Sequence, residues 1–485
     1  MARLIVVSNR VAVPKSGTQA GGLAVAVRAA LRQHPGIWFG WSGRATARGG
    51  ETRAVEQDGT TYVVTDLPKE DYQEYYNGFA NRVLWPILHY RLDLAEFSRR
   101  DLSGYLRVNE RFADELHKLL RPDDIVWVHD YHFLALARAL RERGHRNRIG
   151  FFLHIPFPPT EIVTALPQHE RIILALCHYD LVGFQTVTDA ANFSRYLESE
   201  TAFAGNSEDG FDTGERRVRV GAFPVGVETD AFNRLARRAA QSSFVANVMA
   251  SLSGRAMIIG VDRLDYSKGI DLRMDAFERF LADHPEWRNN VTFLQITPKS
   301  RSDIREYAAM DRLVSSKVGQ VNGAYGEANW TPVRYVNRTH SQTQLAGLYR
   351  KARAALVTPL RDGMNLVAKE FVAAQDGDDP GVLILSRFAG AAVECRPALL
   401  VNPYDTDSVA MAIARAMSMP LEERRARQRT MRQTLLANDI GQWPGKFLDA
   451  LTGRGRIVSP VSARGAPARG AGQASAFTKH LRSRT

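Results

Sequence analysis

The chain has 485 residues, of which 45% are hydrophobic and 24% charged, and a formal net charge of +12. This length exceeds one ordinary core and sets an expectation of two domains of roughly 200 residues each, with the composition of a soluble globular protein. No apolar run reaches the roughly 18–20 residues of a membrane span, and the distant Cys177 and Cys395 form no metal pattern and fit a reducing cytoplasm.

MARLIVVSNR opens with a short apolar stretch and then Asn9 and Arg10, which reads as a core strand rather than a signal peptide. Further strands are expected at IWFGWS (37–42), TYVVTD (61–66), IVWVHD (125–130), IGFFLHI (149–155), LVGFQT (181–186) and VRVGAFPVGV (218–227). Helices fall between them, at LAVAVRAALRQ (23–33) after Gly21-Gly22, over 70–86, and at DLSGYLRVNERFADELHKLL (101–120). A linker-like zone follows Val227, and a helical stretch from Asp230 to about Leu252 leads into a second strand series. That series reads AMIIGVD (256–262), VTFLQIT (291–297), PVRYVN (332–337), AALVTP (354–359), GVLILS (381–386) and ALLVNP (398–403).

Many of these strands are continuous apolar runs, as expected where helices cover both faces of a parallel sheet. The fold class expected is α/β, with two Rossmann-like doubly wound parallel-sheet domains facing across a cleft. The boundaries expected are 1–228 and 229–452, with the last helix packing back on the first domain. Residues 453–485 carry seven of the cations and no acid amid Gly, Ala, Ser and Pro, and read as a disordered solubilising tail. A nucleic-acid role would rest on that tail alone, so neither a nucleic-acid nor a membrane partner is expected.

Ligands of open parallel sheets sit at the carboxyl ends of the strands. The ends here deliver Ser8-Asn9-Arg10 with Gly21-Gly22, then Asp130, His154, Arg263 with Lys268, Lys299 with Arg301, and Arg361-Asp362-Gly363-Met364-Asn365. In PLRDGMNLVAKE (359–370) a strand ends, Asp362-Gly363 turns, and a helix starts near Asn365-Leu366. The bare N–H groups of Leu366 and Val367 then face the turn, where a helix terminus carries about half a positive charge. With Arg263 and Lys268 this forms a site for a diphosphate, and Glu370 is placed to bind a ribose diol. There is no GxxxxGK[ST] loop and no GxGxxG after the first strand, which argues against a P-loop nucleotidase and leaves a dinucleotide ligand weakly supported. Two decoys also read as structure. Asp405-Thr406-Asp407 before a helix is a cap rather than a phosphatase site, and His129 and His132 flanking Asp130 lack metal-ligand spacing.

VSNR, the Gly21-Gly22 loop, FGWSG, EYYN with LWP, HDYH, HIPFPP, VDRLDYSKG and PLRDGMNLVAKE together resemble the trehalose-6-phosphate synthases, glycosyltransferase family twenty, from about residue 3 to 450. The resemblance implies a GT-B fold, no cofactor or metal, and transfer of glucose from UDP-glucose to glucose-6-phosphate. It implies that Arg10, Tyr76 and Arg301 hold the acceptor phosphate, that Trp85 packs near the acceptor sugar and that Asp130 bonds it. On the donor side it implies Gly21, Gly22, His154, Arg263, Lys268, Asp362, Gly363, Met364, Asn365, Leu366 and Val367, with Glu370 on the ribose. His340 stands near the base, where relatives often carry an aromatic. The catalytic group implied is Asp130, His154, Arg263, Lys268 and Asp362, acting by a retaining front-face route, in a cytoplasmic homo-oligomer. Rival readings are a glucosylglycerol-phosphate synthase of the same family and a catalytically silent sugar-phosphate sensor.

Overall fold

The structure, a computed structural model, describes residues 2–11, 13, 22–206, 208–299, 305–455 and 457. The strands are β1 (Leu4–Arg10), β2 (Gly36–Thr46), β3 (Arg53–Gln57), β4 (Thr60–Pro68), β5 (Ile125–His129), β6 (Arg148–Leu153), β7 (Leu181–Phe184), β8 (Ala204–Asn206), β9 (Gly210–Asp212) and β10 (Arg217–Ala222). The second series is β11 (Ala256–Val261), β12 (Val291–Ile296), β13 (Val333–Val336), β14 (Ala354–Val357), β15 (Val382–Ser386) and β16 (Leu399–Val401). Among the described residues the first series forms a ten-stranded sheet ordered β3-β4-β2-β1-β5-β6-β7-β10-β9-β8, and the second a six-stranded sheet ordered β13-β12-β11-β14-β15-β16. The fold class is therefore α/β with two doubly wound parallel sheets.

In each sheet the parallel strands are laid down first on one side of the leading strand and then on the other, which makes one switch point per sheet. The chain runs outward from β1 through β2 to β4, then returns to β5 on the other side of β1 and proceeds to β10. The second sheet does the same at β11 and β14, where all pairings are parallel. At such a switch point the flanking loops diverge and leave a crevice at the strand ends. Both crevices fall where the sequence places its polar clusters. Ile5, Val6 and Val7 in β1, and Ile258 and Ile259 in β11, are sealed on both sheet faces, which explains their unbroken apolar runs.

The two halves are joined by chain crossings that lie side by side. Ile440 N–H donates to Val227 O at 3.4 Å, and Thr229 N–H to Asp439 Oδ2 at 3.0 Å. A Cβ on Gly226 would sit 2.1 Å from Asn438 O, so only glycine permits this approach. After the second crossing, the helix Trp443–Leu451 packs on the first sheet. The Phe447 ring stacks on Trp127 at 4.6 Å, and Trp443 Nε1 donates to Phe223 O at 3.0 Å.

Several expectations need correction. Strand β3 and the antiparallel β8–β9 hairpin were not anticipated, because β3 and β8 are exposed throughout and carry no apolar run. The segment expected as a strand to Val227 leaves the sheet at Ala222. The helix expected from Asp230 to Leu252 is two helices, Thr229–Ala239 and Ser243–Ser251, because the Ser242 side chain accepts from Val245 N and starts a new one. Residues Tyr72–Leu84 wind as a π-helix rather than an α-helix, and Trp85 N–H donates to Ala80 O, five residues back. As expected, by contrast, Asp405 caps the helix Thr406–Ser418, accepting from Ser408 N–H at 2.9 Å. Beyond Gly455 and Ile457, the basic tail lies outside the described residues. Among the described residues no helix is long and apolar enough to cross a membrane.

Candidate active site

At the second switch point, Lys268 Nζ donates to Asp362 Oδ2 at 2.5 Å. Asn365 Nδ2 donates to the same oxygen at 3.0 Å while its Oδ1 accepts from Ala368 N–H at 3.2 Å, so Asn365 caps the helix Leu366–Ala374. It does so at φ 72°, a left-handed conformation that asparagine tolerates. Burial opposes charge on Asp362, but Lys268, His89 and Asn365 outweigh it and hold the carboxyl below its ordinary value.

Beneath the Lys268 loop lies fully buried Arg273. It donates to Asp262 at 2.8 Å, Gln295 at 2.9 Å, Thr358 at 3.0 Å and Lys268 O at 3.3 Å. One side chain therefore ties together the ends of β11, β12 and β14 that the loop springs from.

The two halves meet at this point. A Cβ on Gly363 would lie 2.1 Å from His154 O at the end of β6. The Arg263 guanidinium lies 6.0 Å from the Trp85 ring centroid, and that of Arg361 lies 3.9 Å from Tyr90. Both contacts pair a cation of the second half with an aromatic of the first. Burial drives the His89 imidazole down to about 4, tempered by Asp265 and by its bond to Trp85 O.

The first switch point carries the remaining residues. Arg10, at the end of β1, is exposed and lies against the FGWSG turn, where a Cβ on Gly43 would come within 2.7 Å of its Nε. The Tyr76 ring stacks on His132 at 5.9 Å and packs with Trp41 at 5.5 Å. Asp130 sits at φ 76°, a strained conformation for a residue with a side chain, and its Oδ1 accepts from His154 N–H at 3.4 Å. Trp85 is buried and packs on His89 and Tyr131.

Glu370 is half-buried on the helix Leu366–Ala374. Burial pushes its carboxyl up to about 7, tempered by a hydrogen bond from Gln342. Gln342 begins the helix Gln342–Lys351, and His340 is two residues before it, 5.7 Å from the Phe244 ring. Leu366 and Val367 are half-buried and Met364 is buried. The sites of Gly21 and Arg301 lie outside the described residues, and Gly22 is the first residue of its helix.

The model of the family described as Glycosyltransferase family 20 matches residues 4–453. The chain belongs to glycosyltransferase family 20. Its relatives of that family include a trehalose-6-phosphate synthase of Sinorhizobium fredii, 53% identical over 93% of this chain and 98% of the relative. An α,α-trehalose-phosphate synthase (UDP-forming) of Burkholderia xenovorans, solved in complex with glucose-6-phosphate, is 45% identical, with a TM-score of 0.90 over 93% of this chain and 100% of that one. An E. coli structure with UDP-2-fluoro glucose bound is 44% identical, with a TM-score of 0.88 over 94% of this chain and 100% of that one.

This family 20 site holds groups that the residue-by-residue reading missed. His89 was not signalled at all. Trp41 lies in FGWSG and His132 in HDYH, motifs quoted above but not assigned to the site. Lys369, fully buried within PLRDGMNLVAKE, donates to Val225 O at 2.7 Å and pairs with Glu394. It joins the helix Leu366–Ala374 to the chain crossing.

Proposed function

We propose that the protein transfers glucose from UDP-glucose to glucose-6-phosphate, giving α,α-trehalose-6-phosphate and UDP, with retention of configuration and without a metal. The observation that carries the reading is the full-length likeness to a synthase solved with glucose-6-phosphate. In this reading residues 1–228 supply most of the acceptor site and 229–452 most of the donor site, and each half lends residues to the other. Arg10, Tyr76 and Arg301 hold the acceptor phosphate, for which the planar guanidinium fork is suited. Trp85 packs against the acceptor sugar and Asp130 accepts from one of its hydroxyls.

The donor diphosphate lies at the N-terminus of the helix Leu366–Ala374, beside Arg263 and Lys268. Gly21, Gly22, His154, Asp362 and the 363–367 segment surround the phosphates and glucose, Glu370 takes the ribose diol, and His340 flanks the base. Two side-chain cations and a helix terminus meet the charge of the diphosphate, and no step is assigned to a metal. As the bond from the anomeric carbon to the β-phosphate oxygen breaks, that oxygen takes the acceptor hydroxyl proton. The new bond forms on the face the phosphate leaves. Asp362 is engaged by Lys268 and Asn365, which supports orientation of the sugar rather than covalent attack.

Self-association of the chain belongs to the same reading, with light scattering as its check. UDP release from UDP-glucose with glucose-6-phosphate, against glycerol-3-phosphate, tests the activity. No release with glucose-6-phosphate overturns it, and release with glycerol-3-phosphate alone favours a glucosylglycerol-phosphate synthase. A product linkage other than α,α overturns retention, and activity lost to a chelator and restored by a divalent cation overturns the metal-free route.

A further inference from the structure

His154 is held by a buried chain of hydrogen bonds that crosses between the halves. Its Nδ1 lies 3.5 Å from Gln185 Nε2, and its Nε2 lies 3.0 Å from His129 Nδ1. Gln185 is 3% exposed and His129 fully buried, so neither side chain is free to rearrange in solvent. Val225 N–H donates to Gln185 Oε1 at 3.0 Å, and Lys369 Nζ holds Val225 from the other side.

A backbone N–H can only donate, so the Gln185 atom facing Val225 is its oxygen, and the atom facing His154 is its amide nitrogen. An amide nitrogen can only donate. His154 Nδ1 therefore carries no proton. Burial pushes the imidazole down to about 3, so it is neutral, and its one proton is on Nε2. That proton points at His129 Nδ1, which must then be bare. The reverse arrangement would set two donors against each other at Gln185. It would also leave His129 Nε2 equally without a protein partner, since that atom is buried and unpartnered in either case.

We propose that Gln185 and His129 are positioning residues that fix His154 as the Nε2–H tautomer, so that its bare Nδ1 accepts a hydrogen bond from a hydroxyl of the donor sugar. The proposal rests on the reading that His154 contacts the donor. The 3.5 Å reach from Gln185 is at the limit of a hydrogen bond, so it disfavours a proton on Nδ1, while a sugar hydroxyl that approaches more closely shares the single Nδ1 lone pair or takes it over. Gly363 lies against the backbone carbonyl of His154, so the donor-side loop adjoins this residue.

The test reads the tautomer without substrate. Nitrogen–proton correlation spectra of protein carrying isotope-labelled histidine, with His154→Asn identifying the signals, are expected to show a pyridine-type Nδ1 and a protonated Nε2 on His154. A protonated Nδ1, or two nitrogens averaged by exchange, overturns the proposal. Gln185→Glu keeps the acceptor for Val225 but offers only lone pairs to His154. The His154 proton should move to Nδ1, and kcat/KM for UDP-glucose should fall about tenfold or more, the equivalent of one hydrogen bond, with the KM for glucose-6-phosphate little changed. His129→Leu should lose donor kcat/KM similarly, and His129→Asn, whose Oδ1 replaces the acceptor, should recover most of it. If His129→Leu does not fold, Gln185→Glu carries the test. Wild-type donor kinetics in Gln185→Glu overturn the proposal. A wild-type enzyme that makes no UDP would instead overturn the functional reading, while the spectra still judge the tautomer.

Discussion

Lys268 and Asp362 leave strand ends 94 residues apart in sequence and meet at 2.5 Å, at the mouth of a capped helix. In the proposed reaction Lys268 also faces the charge that grows on the departing phosphate. Loss of one comparable preorganised donor lowers turnover by about a hundred- to thousandfold. Lys268→Ala should do the same in a UDP-release assay while its circular dichroism matches wild type, and near-normal turnover would remove Lys268 from the mechanism. Glu370 gives a prediction of a different kind. Its folded carboxyl titrates near 7, against 4.5 for an unperturbed glutamate. Between those values the folded chain holds a proton that the unfolded chain has lost, so this group costs no stability below pH 4.5, costs progressively more as pH rises from 4.5 through 7, and carries the full penalty above. Glu370→Gln removes the effect. Its melting temperature should exceed that of wild type at about pH 8, and the gain should shrink to nothing near the unperturbed value. A gain that is constant with pH would contradict the assignment of the high value to Glu370.

At the scale of elements, the loop at Gly363 and the end of strand β6 approach so closely that the contact has no room for a side chain. Gly363→Ala would place a methyl 2.1 Å from His154 O, so the loop must retreat from the end of β6. The expected result is a protein that melts close to wild type but has lost most of its UDP release; an active alanine variant would show that the contact has slack. How far the sequence reveals such elements depends on where their energy comes from. The parallel strands were legible because burial on two faces demands unbroken apolar runs, as in β11 and β15. The start of the helix at Leu366 was legible because an Asp-Gly turn followed by Asn365 is local chemistry. The π-helix over Tyr72–Leu84 was not, since the choice between four-residue and five-residue bonding is made by what Tyr75, Phe79 and Trp85 pack against. Lys369 was not either. A lysine in a helix reads as a solvent residue until Val225, 144 residues earlier, arrives at its nitrogen.

For the molecule as a whole, Lys369 and the paired crossings at Val227 and Ile440 form the seam along which the halves are joined. Lys369 is fully buried with Glu394 8% exposed, so removing one charge leaves the other stranded. Lys369→Met should cost about 3–5 kcal/mol, read as a large fall in melting temperature, and adding Glu394→Gln should recover much of it. If the double variant is no more stable than the single, the pair is not the source of the loss. The helix Trp443–Leu451 has a consequence of its own. Trp443, which covers Phe223 and Trp127, lies 220 residues beyond Phe223. A ribosome adding about 10 residues per second needs about 20 s to reach it. For that interval the nascent first half carries a bare aromatic face, with Gly150 and Gly183 forming the empty seat that Phe447 will fill. Synthesis of this protein thus finishes its beginning last, and a message cut short before that helix would release a chain whose earliest-made sheet lacks its cover.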